Sequence, residues 1–266
     1  MSNHRPEEPS PEQPAAPAPH PRPGCLLVTG TDTGVGKTWV TALIVRQLLA
    51  EGHRTGVYKP ACSGAETRPD GTSFWPDLEV LREATGGQWS LDEICPQRFQ
   101  QPLAPPVAAR LEGRTVDSQL LRSAARRWDG LVDLLVIEGV GGLLCPLTEE
   151  ETVADLAASL EAPLLIVARA GLGTINHTLL TVEMAASRGL KVAGVLLNEE
   201  VPAEDPEAGE SNLREIAARC TVPMLGVLPY GSSSGLLHRG QMDRINWSAL
   251  IAGTLVESGR NTEDPQ

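Results

Sequence analysis

Three groups of residues in this chain have the types and spacing to handle a phosphorylated ligand. The first is Gly30-Thr31-Asp32-Thr33-Gly34-Val35-Gly36-Lys37-Thr38, a run of small residues that closes on a lysine and a hydroxyl. Between a strand and a helix, such a run aims several backbone N–H groups at one point, and the helix N-terminus adds partial positive charge there. Lys37 then supplies a point charge for the β- and γ-phosphates, and the Thr38 hydroxyl is placed to hold Mg²⁺. Counted from Gly30, the loop is one residue longer than the general phosphate-loop spacing, because Thr31 stands where glycine is usual. The second group is Glu138-Gly139-Val140-Gly141-Gly142. A carboxylate closing an apolar strand, followed by glycines that admit a close backbone approach, suits a Mg²⁺ site facing a phosphate loop. A charge beside a buried strand also needs a partner, which a metal supplies. The third is Lys59 with Ser63, in Tyr58-Lys59-Pro60-Ala61-Cys62-Ser63-Gly64. On position alone, Lys59 is either a ligand-facing residue at a strand end or an ordinary solvated lysine.

The elements that must position these groups are legible as apolar runs. Strands are expected at residues 25–29, 54–59, 131–137, 163–168, 191–198 and 223–228. Helical spacing marks Val40, Leu43, Ile44 and Leu48, with Gly52 as the stop, and later Ile175, Leu179, Val182 and Ala186, with Gly189 as the cap. Further helices are expected from the Leu78, Val80, Leu81 pattern, at 107–111, around 120–128, at 211–219 and at 247–256. Asp77, taken alone, reads as a helix N-cap. Residues 96–106, with four prolines, read as an extended loop, and 201–211 as an acidic one. His177 reads as structural. Strands alternating with helices predict an α/β fold of the P-loop NTPase kind: a mostly parallel sheet with helices on both faces, in one domain. Its ligands would sit at the carboxyl ends of the strands.

Composition narrows the function. The 266 residues carry 22 Lys and Arg against 34 Asp and Glu, a net charge of −12, which predicts neither a nucleic-acid partner nor binding to an anionic membrane. The five cysteines are odd in number and form no CxxC pair, so a disulfide framework and a zinc site are not expected and a reducing, cytoplasmic compartment is. Residues 1–23 are Pro-rich and polar without an apolar stretch, and read as a disordered tail. The domain is expected over 24–257, with a frayed tail at 258–266.

The Gly30–Thr38 loop, the Tyr58–Gly64 stretch, the Glu138–Gly142 turn and Leu172-Gly173-Thr174-Ile175-Asn176-His177 together resemble the dethiobiotin synthetases, in order, over about residues 25–230. The long phosphate loop is that family's own variant. The resemblance implies an ATP- and Mg²⁺-dependent carboxylation of diaminopelargonate (7,8-diaminononanoate) with CO₂. A carbamate forms, ATP phosphorylates it, and the second amine closes the ureido ring. By resemblance, Asp32, Thr33, Gly34, Val35, Gly36, Lys37 and Thr38 cradle the nucleotide, and Thr33 steadies the transferring phosphoryl group. Thr38, Asp77 and Glu138 gather Mg²⁺, which raises Asp77 from helix cap to metal ligand. Lys59 and Ser63 hold the carbamate, Asn198 reads the adenine edge and Pro229 lines the base pocket. The family works as a homodimer, so Gly173, Thr174, Ile175 and Asn176 are expected to meet the substrate carboxylate from the other subunit, at a helix N-terminus. Two departures stand out: Trp75-Pro76 precedes Asp77 where relatives have small polar residues, and Pro105-Pro106 stands where many carry histidine.

A regulatory ATPase that switches partner binding, of the partitioning or septum-positioning kind, shares the fold but carries a second lysine early in the loop. Asp32 occupies that place here. After the strand at 191–198 the chain reads Asn198-Glu199-Glu200-Val201, without the Asn-Lys-x-Asp that reads guanine in GTPases. A small-molecule kinase of the same fold is the third alternative, and ATPase activity that depends on diaminopelargonate and bicarbonate separates the ligase from all three.

Overall fold

The computed structural model describes residues 21–202, 206–232, 235–238 and 241–253. The expected N-terminal tail up to residue 20 and the C-terminal stretch from 254 lie outside the described residues; Pro21 runs along the domain, its carbonyl accepting from Gly130 N at 3.0 Å.

Strand β1 (Gly24–Gly30) runs into the glycine-rich loop and then α1 (Lys37–Ala50). Strand β2 (Thr55–Tyr58) stops one residue before Lys59. Two small pieces of sheet follow: β3 (Cys62–Ser63) pairs with β6 (Arg98–Phe99), and β4 (Glu66–Thr67) pairs with β5 (Ser73–Phe74). Between β5 and β6 lie α2 (Pro76–Ala84) and α3 (Leu91–Ile94), and after β6 come α4 (Pro105–Leu111) and α5 (Ser118–Arg126). The chain then alternates: β7 (Leu134–Gly142), α6 (Val153–Leu160), β8 (Leu164–Arg169), α7 (Thr174–Ser187), β9 (Val192–Asn198), α8 (Pro206–Ala217) and β10 (Met224–Leu228). A hairpin of β11 (Leu236–His238) and β12 (Gln241–Asp243), then α9 (Trp247–Ala252), completes the described elements.

The main sheet has eight strands in the order β12-β11-β10-β9-β8-β1-β7-β2, parallel from β2 to β10 and antiparallel in the last hairpin. Residues of β1 point alternately to two cores. Leu26 and Val28 join α1 residues Val40, Ile44 and Leu48 on one side, while Leu27 joins Ile137, Leu121 and Leu156 on the other. Burial on both faces is why β1 and β7 read as unbroken apolar runs rather than alternating ones. Strand β1 sits where the order reverses, with β7 on one side and β8 on the other, so the loop leaving it opens at the crevice that such sheets use for ligands.

The expected sheet is found, with four corrections. Helix α4 starts at Pro105, because prolines at the first helical positions give up only N–H groups that had no partner there, so the extended loop ends earlier than expected. Helix α8 likewise starts at Pro206, inside the segment read as a loop, and ends at Ala217. Residues 131–133 belong to a turn, and β7 runs on through Gly142. Helix α9 ends at Ala252, short of 256, because Gly253 takes a left-handed φ of 70° there.

Candidate active site

The phosphate loop is shaped by its glycines. Gly34 and Gly36 hold φ of 79° and 86°, left-handed values that a side chain would strain. A Cβ on Gly36 would also lie 2.1 Å from Asn198 Nδ2, whose amide donates to Val35 O at 3.2 Å. Lys37 is buried and arches back to donate to Asp32 O at 2.9 Å. Burial and the nearby Lys59 pull the Lys37 pKa below the usual lysine value, while Glu138 and Asp77 pull the other way.

Glu138 is brought to this loop by register. Val28 of β1 pairs with Glu138 of β7, after which the pairing jumps to Gly30 with Gly142, so β7 bulges over Gly139, Val140 and Gly141. The carboxylate is fully buried at the bulge. Its Oε1 accepts from the Thr38 hydroxyl at 2.8 Å and from Lys59 Nζ at 2.5 Å, while Oε2 has no hydrogen-bond partner among the described residues. Lys59 Nζ also reaches Asp77 Oδ2 at 2.6 Å. Burial alone would lower the Lys59 pKa, but Glu138 and Asp77 outweigh it and hold the ammonium protonated well above the usual lysine range. Burial pushes Asp77 up, but Lys59, the Thr38 hydroxyl and Lys37 prevail and hold it below the ordinary carboxylate value.

These corrections bear on single residues. Lys59 is 4% exposed and paired, so it is not a solvated surface lysine. The partner that Glu138 requires is supplied within the chain by that ammonium. Asp77 is not the helix cap: Trp75 holds that position, Pro76 follows, and the Asp77 carboxylate turns to Lys59.

Thr33, Gly34, Gly36, Lys37 and Thr38 line one cleft of about 540 Å³ together with Lys59, Ser63, Asp77 and Glu138. Val35 is buried in the core instead. Asp32 is exposed, its carboxylate accepting from Thr33 N at 2.7 Å and lying 3.5 Å from Arg169 Nη2. Asn198 abuts the loop at the end of β9, while Pro229 is half-buried and outside the cleft lining. Gly173, Thr174, Ile175 and Asn176 do not line the cleft of their own chain. Thr174 is buried, Ile175 packs on the core and Asn176 is exposed, beside a fully exposed Leu172.

Four features of the neighbourhood escape sequence reading: Arg169 beside Asp32, the rim formed by Pro102 and Leu103, and the thiols of Cys62 and Cys145. Burial pushes the Cys62 thiol up to about 12, and raises Cys145 despite the nearby Lys37, so neither offers a thiolate nucleophile at neutral pH. With two lysines, two carboxylates and three hydroxyls lining one cleft, the site is equipped for phosphoryl transfer.

Sequence relatives are ATP-dependent enzymes by name. An ATP-dependent dethiobiotin synthetase of Anaeromyxobacter dehalogenans (strain 2CP-C) is 49% identical over 205 residues, covering 77% of this chain and 89% of the relative. That of Bacillus subtilis (strain 168) is 40% identical over 232 residues, covering 85% and 96%. The chain belongs to the dethiobiotin synthetase family. A family model described as an AAA domain also matches residues 25–235 of this synthetase-family chain. Among solved structures, chloroplast FtsY from Physcomitrella patens aligns over 88% of this chain and 66% of its own length at 16% identity, with a TM-score of 0.48. Among the described residues, no helix of this dethiobiotin synthetase relative is long and apolar enough to cross a membrane.

Proposed function

We propose that the cleft between the phosphate loop and β7 carries out the ATP-dependent carboxylation of diaminopelargonate, closing the ureido ring of dethiobiotin and releasing ADP and phosphate. The observation that carries this assignment of residues is the convergence of Lys37, Thr38, Lys59, Asp77 and Glu138, from four separate stretches of chain, on one cleft. The activity itself is that of an ATP-dependent ligase, as the relatives' names state.

In this reading one amine of the substrate adds to CO₂ to form a carbamate, whose oxygen displaces ADP from the γ-phosphorus. The second amine then attacks the carbamate carbon and expels phosphate. Phosphoryl transfer of this kind depends on positioning and charge stabilisation more than on covalent help from the protein. Lys37 and the loop N–H groups hold the β- and γ-phosphates, and Thr33 steadies the group in transfer. Lys59 and Ser63 orient the carbamate, the ammonium being kept protonated by its two carboxylate neighbours. Asn198 and Pro229 are assigned to the adenine.

The residues present fit Mg²⁺. Thr38, Asp77 and Glu138 offer only oxygen donors, and Glu138 Oε2 is a buried carboxylate oxygen with no hydrogen-bond partner among the described residues. Bound there, Mg²⁺ would supply charge neutralisation to the phosphates. We assign the N-terminus of α7, Gly173 to Asn176, to the substrate carboxylate of the partner subunit's site in a homodimer, with a cytoplasmic location.

The test is dethiobiotin formed with diaminopelargonate, bicarbonate and ATP. One ADP per ring, and no ATP turnover without the diamine, is expected. ATP hydrolysis indifferent to both carbon substrates would point instead to a switch ATPase.

A further inference from the structure

We propose that Trp75 is a positioning residue, which pins the start of α2 to the β3–β6 ribbon and so holds the Asp77 carboxylate in the cleft. Trp75 ends the β4–β5 excursion and caps α2, its carbonyl accepting from Leu78 N at 3.0 Å and Glu79 N at 3.2 Å. Its indole Nε1–H donates to Phe99 O at 2.9 Å, and the Arg98 guanidinium lies 5.6 Å from the centre of its ring. Phe99 is fully buried and belongs to β6, which pairs Phe99 with Ser63 and Arg98 with Cys62. One side chain therefore ties the backbone beside Ser63 to a helix whose second residue is Asp77.

Pro76 makes the tie short and stiff. A proline at the first helical position fixes φ, so the orientation of the Trp75 peptide passes directly to Asp77. The other visible link between the excursion and α2 is the Arg68–Glu79 pair at 2.9 Å, with both side chains about two-fifths exposed. A solvent-screened pair of that kind constrains little, so the indole anchor is the stronger of these two links. Buried Leu78, Leu81 and Ala84 hold the body of α2 on the core, and Asp77 at its start is half-exposed at the side chain, so the indole tie acts at the helix start in addition to that core. A carboxylate that binds a cation loses affinity when its supporting contacts are removed, typically by tenfold or more.

The inference rests on the reading of Asp77 as a cation ligand, and the test separates the two. Mn²⁺ affinity is measured by electron paramagnetic resonance with a non-hydrolysable ATP analogue, for wild type, Trp75→Phe, Asp77→Asn and the double variant. Replacement of Trp75 by its benzothiophene isostere, which keeps the ring shape and deletes only the N–H, serves as the variant least able to disturb folding. The expected result is a loss of about tenfold for both Trp75 replacements, with no further loss when Trp75→Phe is added to Asp77→Asn. Unchanged affinity in the isostere, or a full additional loss in the double variant, overturns the positioning role while leaving Asp77 as a ligand. Unchanged affinity in Asp77→Asn alone overturns both.

Discussion

Lys59 and Glu138, 79 positions apart in the chain, form an ion pair of 2.5 Å in which the lysine is 4% exposed and the carboxylate not exposed at all. Breaking such a pair from one side leaves a charge in a poorly solvated place, at a typical cost of about 3–5 kcal/mol. Lys59→Met is therefore expected to lower Tm by roughly 10 °C without metal, and adding Glu138→Gln should recover most of that loss. Thermal melts of the two single variants and the double variant check this. Additive losses would mean that the two side chains are not stabilising one another.

The same lysine is expected to have a separable effect on catalysis. Lys59→Gln should leave ATP binding largely intact and cut ring formation by about two orders of magnitude, the usual effect of deleting one preorganised charge contact. Arginine should not restore it, because a planar fork cannot replace a compact ammonium held between two carboxylates. The readout is dethiobiotin per minute beside ATP affinity; equal losses in both would remove Lys59 from the carbamate site.

Asp77 gives the site a pH signature. Its pKa lies below the ordinary carboxylate value of about 3.9, so the unfolded chain takes up this proton first as acid is added. The pair with Lys59 thus contributes stability in full above about pH 5, and loses it as pH falls through the folded pKa. The slope of Tm against pH on the acid side should be shallower in Asp77→Asn than in wild type. An identical slope in the two proteins would contradict the pairing.

The frame of this site was legible because it is local. An apolar run, a turn of small residues and Gly36-Lys37-Thr38 are contiguous, and the crevice position of Lys59 follows from its place just past a strand end. What joins Lys59 to Asp77 and Glu138 is not local, since those carboxylates arrive from α2 and from a bulge in β7. The two-residue strands β3 to β6 have no periodicity to read, as they exist only by pairing with one another. Pro105 misled because proline is equally at home in a loop and in the first turn of a helix, and the acidic run before α8 hid a helix start that carries no apolar period. Arg169 carries no motif at all, and is found only when β8 lies beside β1 and Asp32 comes within 3.5 Å.

Lys37 should be dispensable for folding and essential for turnover. The Lys37 ammonium donates to the Asp32 carbonyl within the loop itself, so Lys37→Ala removes little that holds the core. With phosphates present it is the loop's own ammonium, and its loss should cost about 3 kcal/mol or more in the transition state. A Tm near wild type with turnover reduced at least about a hundredfold is expected. Wild-type-like turnover in folded Lys37→Ala would refute the phosphate-loop assignment.

The last prediction concerns the residues that the single chain leaves apart. Lys59 lines the cleft, whereas Asn176 is exposed in the first turn of α7 and does not. If the partner subunit's α7 completes each cleft, each active site takes Lys59 from one chain and Asn176 from the other. Asn176→Asp should then abolish ring formation with little effect on folding, since a carboxylate is favourable at a helix N-terminus but repels the substrate's own carboxylate. Mixed after dissociation with inactive Lys59→Gln, it should regain activity, because a dimer of one chain of each kind has one site with both lesions and one with neither. Random pairing makes half of the dimers mixed, with one good site in two, so recovery should reach about a quarter of the wild-type rate. No recovery, in a mixture shown by mass spectrometry to contain the mixed dimer, would place both residues in the same subunit's site or remove Asn176 from the site altogether.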